Sequence, residues 1–237
     1  MKSLSILIPI YNEEESLQAL FDELKFSFEN NQSIEIIFIN DGSSDMSQKV
    51  IENEIANHST WKLINLYRNY GKSVALQSGI DIASNELIAT LDGDLQDDPK
   101  ELISLVRELN EDDVIVGWKK DRLDPLEKKI ASKIFNFFIK LFSGLKIKDS
   151  NSGIKVLKKE VAKSLNLYGG RHRYIPLLAH QKGFNVKEIP VNHRERKFGK
   201  SKYGAERYKH GFFDFMTILF LGKYMDRPLH FFGMVGF

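Results

Sequence analysis

The sequence contains no cysteine. Disulfides and thiolate-held metals are therefore excluded, and any metal must be bound by oxygen or imidazole. The six histidines, at 58, 172, 180, 193, 210 and 230, show no zinc-ligand spacing. No apolar run reaches the roughly 20 residues that a membrane-crossing helix needs. No low-complexity tract, internal repeat or secretory leader is visible. Met1-Lys2-Ser3 leads straight into Leu4–Pro9, an apolar segment that reads as a first core strand.

What is present suits one large α/β domain, with a short appendage at most: 237 residues, 42% hydrophobic and 28% charged. The net charge of +2 conceals an asymmetry. Residues 1–118 hold 8 Lys/Arg and 22 Asp/Glu, a net of −14, while residues 119–237 hold 26 and 10, a net of +16. A basic half implies an anionic partner such as phosphate, nucleic acid or a membrane surface, unless it is simply a solvated lysine-rich face.

Periodicity predicts alternating strands and helices in the first half. Leu4–Ile10 is an apolar strand. In Glu14–Phe28 the residues Leu17, Leu20, Phe21, Leu24 and Phe28 recur at helical spacing. Ile34–Ile39 is a second strand, followed by a helix capped by Ser44 or Asp45 and running to about residue 57. Trp61–Leu66, Glu86–Leu91 and Val114–Gly117 are further strands. Lys72–Ala83 is a helix, and Pro99 opens another. This alternation predicts a doubly wound, mostly parallel sheet flanked by helices. The second half carries a basic amphipathic helix over Pro125–Phe142, short strands near 149–157 and 184–191, a basic loop over His193–Tyr203, and an aromatic-rich end from Tyr208.

Doubly wound sheets bind ligands outside the carboxyl ends of their strands. Tyr11-Asn12-Glu13, Asp41-Gly42-Ser43 and Asp92-Gly93-Asp94 all fall there. Two carboxylates flanking a glycine suit a hard divalent cation, one that keeps water and bridges diphosphate oxygens. Asp41-Gly42 reads either as turn chemistry or as a base or ribose contact. Arg68-Asn69-Tyr70-Gly71-Lys72 precedes a helix, so Arg68 and Lys72 suit phosphate; an ordinary basic loop is the alternative.

Four segments occur in order: Ile8-Pro9-Ile10-Tyr11-Asn12-Glu13-Glu14, Asn40-Asp41-Gly42-Ser43-Ser44-Asp45, Arg68-Asn69-Tyr70-Gly71-Lys72 and Asp92-Gly93-Asp94-Leu95-Gln96-Asp97-Asp98-Pro99. Together they resemble glycosyltransferase family 2, which has the GT-A fold. The resemblance continues through Asp149-Ser150-Asn151-Ser152-Gly153-Ile154-Lys155, His172-Arg173-Tyr174-Ile175-Pro176 and Arg196-Lys197-Phe198-Gly199-Lys200-Ser201-Lys202-Tyr203. The last of these narrows it to the polyprenyl-phosphate branch, the dolichol-phosphate mannosyltransferase and bactoprenol glucosyltransferase relatives. One departure is Ile154, where relatives often carry an aromatic.

The resemblance implies an inverting hexosyltransferase that uses Mg²⁺ or Mn²⁺, with a nucleotide-sugar donor and a polyprenyl phosphate acceptor. By position, Pro9, Tyr11, Glu13 and Asp41 contact the nucleoside, and Asp92 lies near the ribose and diphosphate. Asp94 and Gln96 bind the metal. Arg122, Arg173, Arg196, Lys200 and Ser201 are candidates for the diphosphate or the acceptor phosphate. Asp94, Asp149 and Arg196 form the catalytic set, with Asp149 as base or acceptor-orienting group, or else simply forming a turn. A lipid monophosphate, largely dianionic at neutral pH, mainly needs positioning.

The expected organisation is a GT-A catalytic domain over residues 1–205, with a nucleotide-binding half at 1–118 and an acceptor half at 119–205. Residues 206–237 form a juxtamembrane segment with interfacial amphipathic helices. Relatives continue here into transmembrane helices, so the chain reads as part of a longer membrane protein working at the cytoplasmic face. Nucleic acid is not an expected partner, and self-association stays open. The alternatives are a family-2 transferase acting on a sugar hydroxyl and a non-catalytic module binding anionic lipid. A nucleotidyltransferase would need a glycine-rich N-terminal loop that Leu7-Ile8-Pro9-Ile10-Tyr11 does not supply. UDP- and GDP-sugars both remain open as donors.

Overall fold

A computed structural model describes residues 2–28, 31, 33–119, 136, 139–141, 143–192, 194, 206–224, 229 and 236. Seven strands form one sheet: β1 (Leu4–Ile10), β2 (Ile34–Asn40), β3 (Trp61–Asn65), β4 (Leu87–Thr90), β5 (Val114–Lys119), β6 (Lys155–Lys158) and β7 (Val186–Val191). Their order is β3-β2-β1-β4-β6-β5-β7. All neighbouring pairs are parallel except those made by β6, which runs antiparallel to both β4 and β5. The sheet is thus α/β and mostly parallel, as the strand–helix alternation predicts. The stretches before and after residue 118 share it, because β6 inserts between β4 and β5.

The helices are α1 (Glu14–Phe28), α2 (Ser47–Ile55), α3 (Lys72–Ile82), α4 (Glu101–Glu108), α5 (Lys159–Ser164), α6 (Ile175–Gln181) and α7 (Glu206–Tyr224), with a 3₁₀ turn at Arg171–Tyr174. Alternation along the strands sorts the core into two layers. Leu4, Ile6, Ile8 and Ile10 of β1, with Ile36 and Phe38 of β2, pack against α1, α2 and α4. Leu7, Ile37 and Ile39 face α3, α5, α6 and α7, where Phe215 and Ile218 bury one side of α7. Strands covered on both faces need continuous apolar runs, which is why β1 and β2 read that way.

Three local expectations change. The helix after β2 starts at Ser47 with Met46 at its N-cap, and no side chain caps it there. Asp45 instead bridges two helix starts, accepting the Ser47 N–H at 3.0 Å and the Glu14 N–H at 3.2 Å. Residues 149–154 are not strand; they cross the end of β4, held by Thr90 Oγ1 donating to the Gly153 carbonyl at 2.7 Å. The helix at Pro99 begins only at Glu101. Most of the amphipathic helix expected over Pro125–Phe142 lies outside the described residues.

Gly42 is at φ +67°, and a Cβ there would sit 2.4 Å from the Arg68 backbone carbon. The chain ends of β2 and β3 touch backbone to backbone, so only glycine fits. Gly144 also has positive φ (+75°), but a Cβ there would meet nothing within 4 Å. Gly42→Ala should therefore cost about 2 kcal/mol more than Gly144→Ala in urea unfolding. Equal costs would show that the two loops do not press together.

Candidate active site

The site grows from the carboxyl ends of β1, β2 and β4. After β1, Asn12 adopts φ 51°, a left-handed conformation that asparagine tolerates. Its side-chain oxygen accepts the Ser44 N–H at 2.7 Å, and its own N–H donates to Ser43 Oγ at 3.0 Å. The Glu13 N–H donates to Ser47 Oγ at 2.9 Å. These bonds zip the β1 exit to the β2 exit. Pro9 is half-buried within β1, and Tyr11 is partly exposed at its end.

Asp41 is 4% exposed, and its two carboxylate oxygens accept the backbone N–H groups of Tyr70 (2.8 Å) and Gly71 (2.9 Å). Burial pushes its pKa up despite these bonds. Its carboxylate therefore holds the Arg68–Lys72 loop in place, and any nucleoside contact would be made by a group already engaged. In that loop the Arg68 guanidinium lies over the Tyr70 ring, 4.9 Å from its centroid.

Lys72, the first residue of α3, pairs with Asp92. Gly93 follows because a Cβ there would sit 2.5 Å from Ile10 Cδ1, and its carbonyl accepts Ser16 Oγ at 3.1 Å. Asp94 Oδ1 accepts the Gln96 N–H at 3.2 Å across a turn made by Leu95, which is at φ 61° and 3% exposed. A leucine in that conformation costs about 1–2 kcal/mol, so its surroundings must impose it.

Gly153 crosses above. A Cβ there would come within 2.8 Å of both the Asp92 and Asp97 carboxylates. Around them stand three lysines, and Asp149 (1% exposed) completes the cluster. Lys119 ends β5 and binds the buried Asp97 at 2.9 Å. Lys155, 3% exposed, begins β6 and donates to the Ser152 carbonyl. Burial opposes the charge on Asp92, but Lys72 above all, then Lys119 and Lys155, holds its carboxyl well below the usual range. For Lys119 burial is likewise outweighed by Asp97, Asp92 and Asp149, and its pKa is raised. For Lys155 burial and repulsion from Lys72 prevail, and its pKa is pushed down to about 8.

The Asp149 N–H donates to Glu188 Oε1 of β7 at 2.8 Å, as does that of Lys148. Next to it, Ser150 Oγ donates to the Arg173 carbonyl at 3.1 Å. The Arg173 side chain is largely buried, 3.9 Å from Asp214 of α7, and its Nε has no acceptor among the described residues. The structure thus gathers Asp92, Asp94, Gln96, Lys72, Asp149 and Arg173 around the sheet's end, with Pro9, Tyr11, Glu13, Asp41 and Arg68 at the neighbouring strand exits. Arg122, Arg196, Lys200 and Ser201 lie outside the described residues. Sequence reasoning missed Lys119, Asp97, Glu188 and Arg194. The strand-end rule would have found Lys119, since it closes β5.

Asp94 and Gln96 offer oxygen donors, the chemistry a hard divalent cation prefers. Among the described residues no group of three His, Cys, Asp or Glu side chains could hold a metal by itself.

Residues 5–165 match the family described as Glycosyl transferase family 2. The chain belongs to that family. It is 36% identical over 240 residues to dodecaprenyl-phosphate galacturonate synthase of Rhizobium johnstonii, covering 98% of this chain and 71% of that protein. It is 35% identical over 241 residues to undecaprenyl-phosphate 4-deoxy-4-formamido-L-arabinose transferase of Yersinia pestis, covering 100% and 72%. Among solved structures, the mannosyltransferase PcManGT from Pyrobaculum calidifontis, in complex with GDP-Man and Mn²⁺, superposes with a TM-score of 0.66 at 16% identity. That match covers 87% of this chain and 60% of that one, and it fixes the fold as GT-A. The enzyme is a hexosyltransferase of the polyprenyl-phosphate branch of family 2.

His172 is bound by Ser73 at two points. Ser73 Oγ accepts the His172 N–H at 3.0 Å and lies 2.9 Å from His172 Nδ1. Burial first, then Lys72, Arg173 and Lys155, hold the imidazole pKa well below its ordinary value. The unfolded chain therefore binds a proton at His172 that the folded chain refuses, so stability falls as pH drops below about 6.5. His172→Asn, which keeps an acceptor for Ser73, should lose less urea resistance than wild type between about pH 7.5 and 5.5. An unchanged slope would show that His172 does not carry this dependence.

Proposed function

We propose that the enzyme transfers a sugar, with inversion, from a UDP- or GDP-linked donor to a polyprenyl phosphate, with Mg²⁺ or Mn²⁺ bound by Asp94 and Gln96. The observation that carries this reading is Arg173, whose largely buried guanidinium has no acceptor for its Nε among the described residues and whose backbone carbonyl holds Ser150, next to Asp149. It stands next to a lysine-rich centre at the strand ends. A phosphate acceptor would supply the missing oxygen. The named relatives are a dodecaprenyl-phosphate and an undecaprenyl-phosphate enzyme, which supports the same acceptor class.

In this reading the zipped exits of β1 and β2 seat the nucleoside through Pro9, Tyr11, Glu13 and Asp41. Arg68 and Lys72, at the start of α3, face the diphosphate. Asp92 stays ionised beside Lys72 and orients the ribose end. The bound cation supplies charge neutralisation to the departing nucleotide. Arg173, with Arg122, Arg196, Lys200 and Ser201, positions the incoming phosphate. That phosphate is already largely dianionic and needs no proton removed. Asp149, held by Glu188, orients it. A sugar hydroxyl acceptor would instead require Asp149 as base.

The reaction is proposed to take place at the cytoplasmic membrane surface. While α7 buries Phe215 and Ile218, it leaves Phe213 67% and Met216 45% exposed, an arrangement suited to an interface. Among the described residues no helix is long and apolar enough to cross a membrane.

The test is transfer of labelled sugar from UDP- and GDP-sugars, with Mn²⁺, to undecaprenyl phosphate and to free sugar acceptors. Product should form on the lipid phosphate. Asp94→Asn should lower the rate by about 100-fold or more, and Arg173→Gln should raise the acceptor KM. Transfer to a sugar hydroxyl but not to the lipid phosphate would overturn the reading, as would full activity in Asp94→Asn.

A further inference from the structure

Arg194 lies three residues beyond β7 and reaches back across the site's edge. Its backbone N–H donates to the Gln96 carbonyl at 2.9 Å. One terminal nitrogen of its guanidinium donates to both carboxylate oxygens of Glu23 on α1, at 2.7 and 2.8 Å, and the other donates to Asp98. Nearby, Asn192 holds Glu101 at the start of α4, its side-chain amide donating at 2.7 Å. The exit of β7 is thus stapled to both ends of the segment that follows Asp94.

That segment has a reason to need holding. Leu95 sits in a left-handed conformation at a cost of about 1–2 kcal/mol. From inside, its buried side chain anchors the turn to the core formed with α1 and α4. From outside, the turn is held by Arg194 through the next carbonyl and through Asp98. The Arg194 side chain is about one-third exposed, as is Glu23 (34% and 30%). Exposed pairs of this kind contribute little to global stability. The arginine instead spans Glu23 on α1 and Asp98 in the loop with two separate nitrogens of a planar fork, which the single nitrogen of a lysine cannot reproduce.

We propose that Arg194 is a positioning residue for the divalent cation, fixing the Asp94–Gln96 turn in its binding shape through the Gln96 carbonyl and Asp98. The inference rests on the assignment of Asp94 and Gln96 as ligands. Support of this kind behind a ligand is worth about 10- to 100-fold in metal affinity.

The test compares wild type with Arg194→Gln, Arg194→Lys and Glu23→Gln. Mn²⁺ binding in the presence of UDP or GDP is followed by electron paramagnetic resonance, and hydrogen exchange is measured over residues 94–98. Arg194→Gln should weaken Mn²⁺ binding about tenfold and speed exchange in that segment. The rate at saturating Mn²⁺ should change less, and unfolding should shift by only a few degrees. Arg194→Lys should recover only part of the affinity. Glu23→Gln should act in the same direction, and the double variant should be no worse than Arg194→Gln alone.

If Arg194→Gln fails to fold, Glu23→Gln carries the test. Lower stability with unchanged Mn²⁺ affinity and exchange would overturn the proposal. Wild-type protein that binds no Mn²⁺ at all, or that loses none on Asp94→Asn, would instead overturn the ligand assignment on which it rests.

Discussion

The site is organised around one close approach: the Gly153 backbone lies against the carboxylates of Asp92 and Asp97, with no room for a Cβ between them. Two acidic groups brought together under a loop would repel each other and resist burial. Breaking a buried ion pair costs about 3–5 kcal/mol because a charge is left alone. The chain meets this cost with Lys119 on the buried Asp97, while Lys72 pairs with the partly exposed Asp92 and Lys155 lies within electrostatic reach of both. Without the lysines the two carboxylates would face each other uncompensated; with a side chain at position 153 they would have to shift.

The same cluster draws on both the stretch of net charge −14 and the one of net charge +16, which share a single sheet. The acidic strand ends belong to β1, β2 and β4, whereas Lys119 and Lys155 arrive on β5 and β6. Inserting β6 antiparallel between β4 and β5 brings Lys155 and Gly153 to the end of β4. Charge complementarity that looks like a division of labour along the sequence is, in space, an interleaving. The same interleaving sets Lys72, Lys119 and Lys155 around the carboxylates of Asp92 and Asp97.

Much of this was legible beforehand. Helix α1 could be bounded to the residue because its apolar positions repeat without interruption from Glu14 to Phe28. The three strand ends could be named because parallel sheets place their ligands there. What escaped depended on distant contacts. Asp45 looked like a simple cap, but it serves two helices, reaching the start of α1 through Glu14, 31 positions away. Residues 149–154 looked extended, but tertiary bonds to Thr90 and Glu188 bend them over the site. Arg194 looked like one more basic loop residue, because nothing local reveals that Glu23 lies opposite it, 171 positions away. Patterns of period and turn chemistry report on neighbours in sequence; charge partners across a sheet do not write themselves into either.

Gly153→Ala tests the central contact most directly. Its affinity for Mn²⁺ with UDP or GDP can be measured by titration, with circular dichroism as the check on folding. The expected result is binding weakened by about tenfold or more in a protein whose helix and strand content is unchanged. Binding equal to wild type would contradict the claim that the Gly153–Asp92–Asp97 approach shapes the nucleotide and metal site.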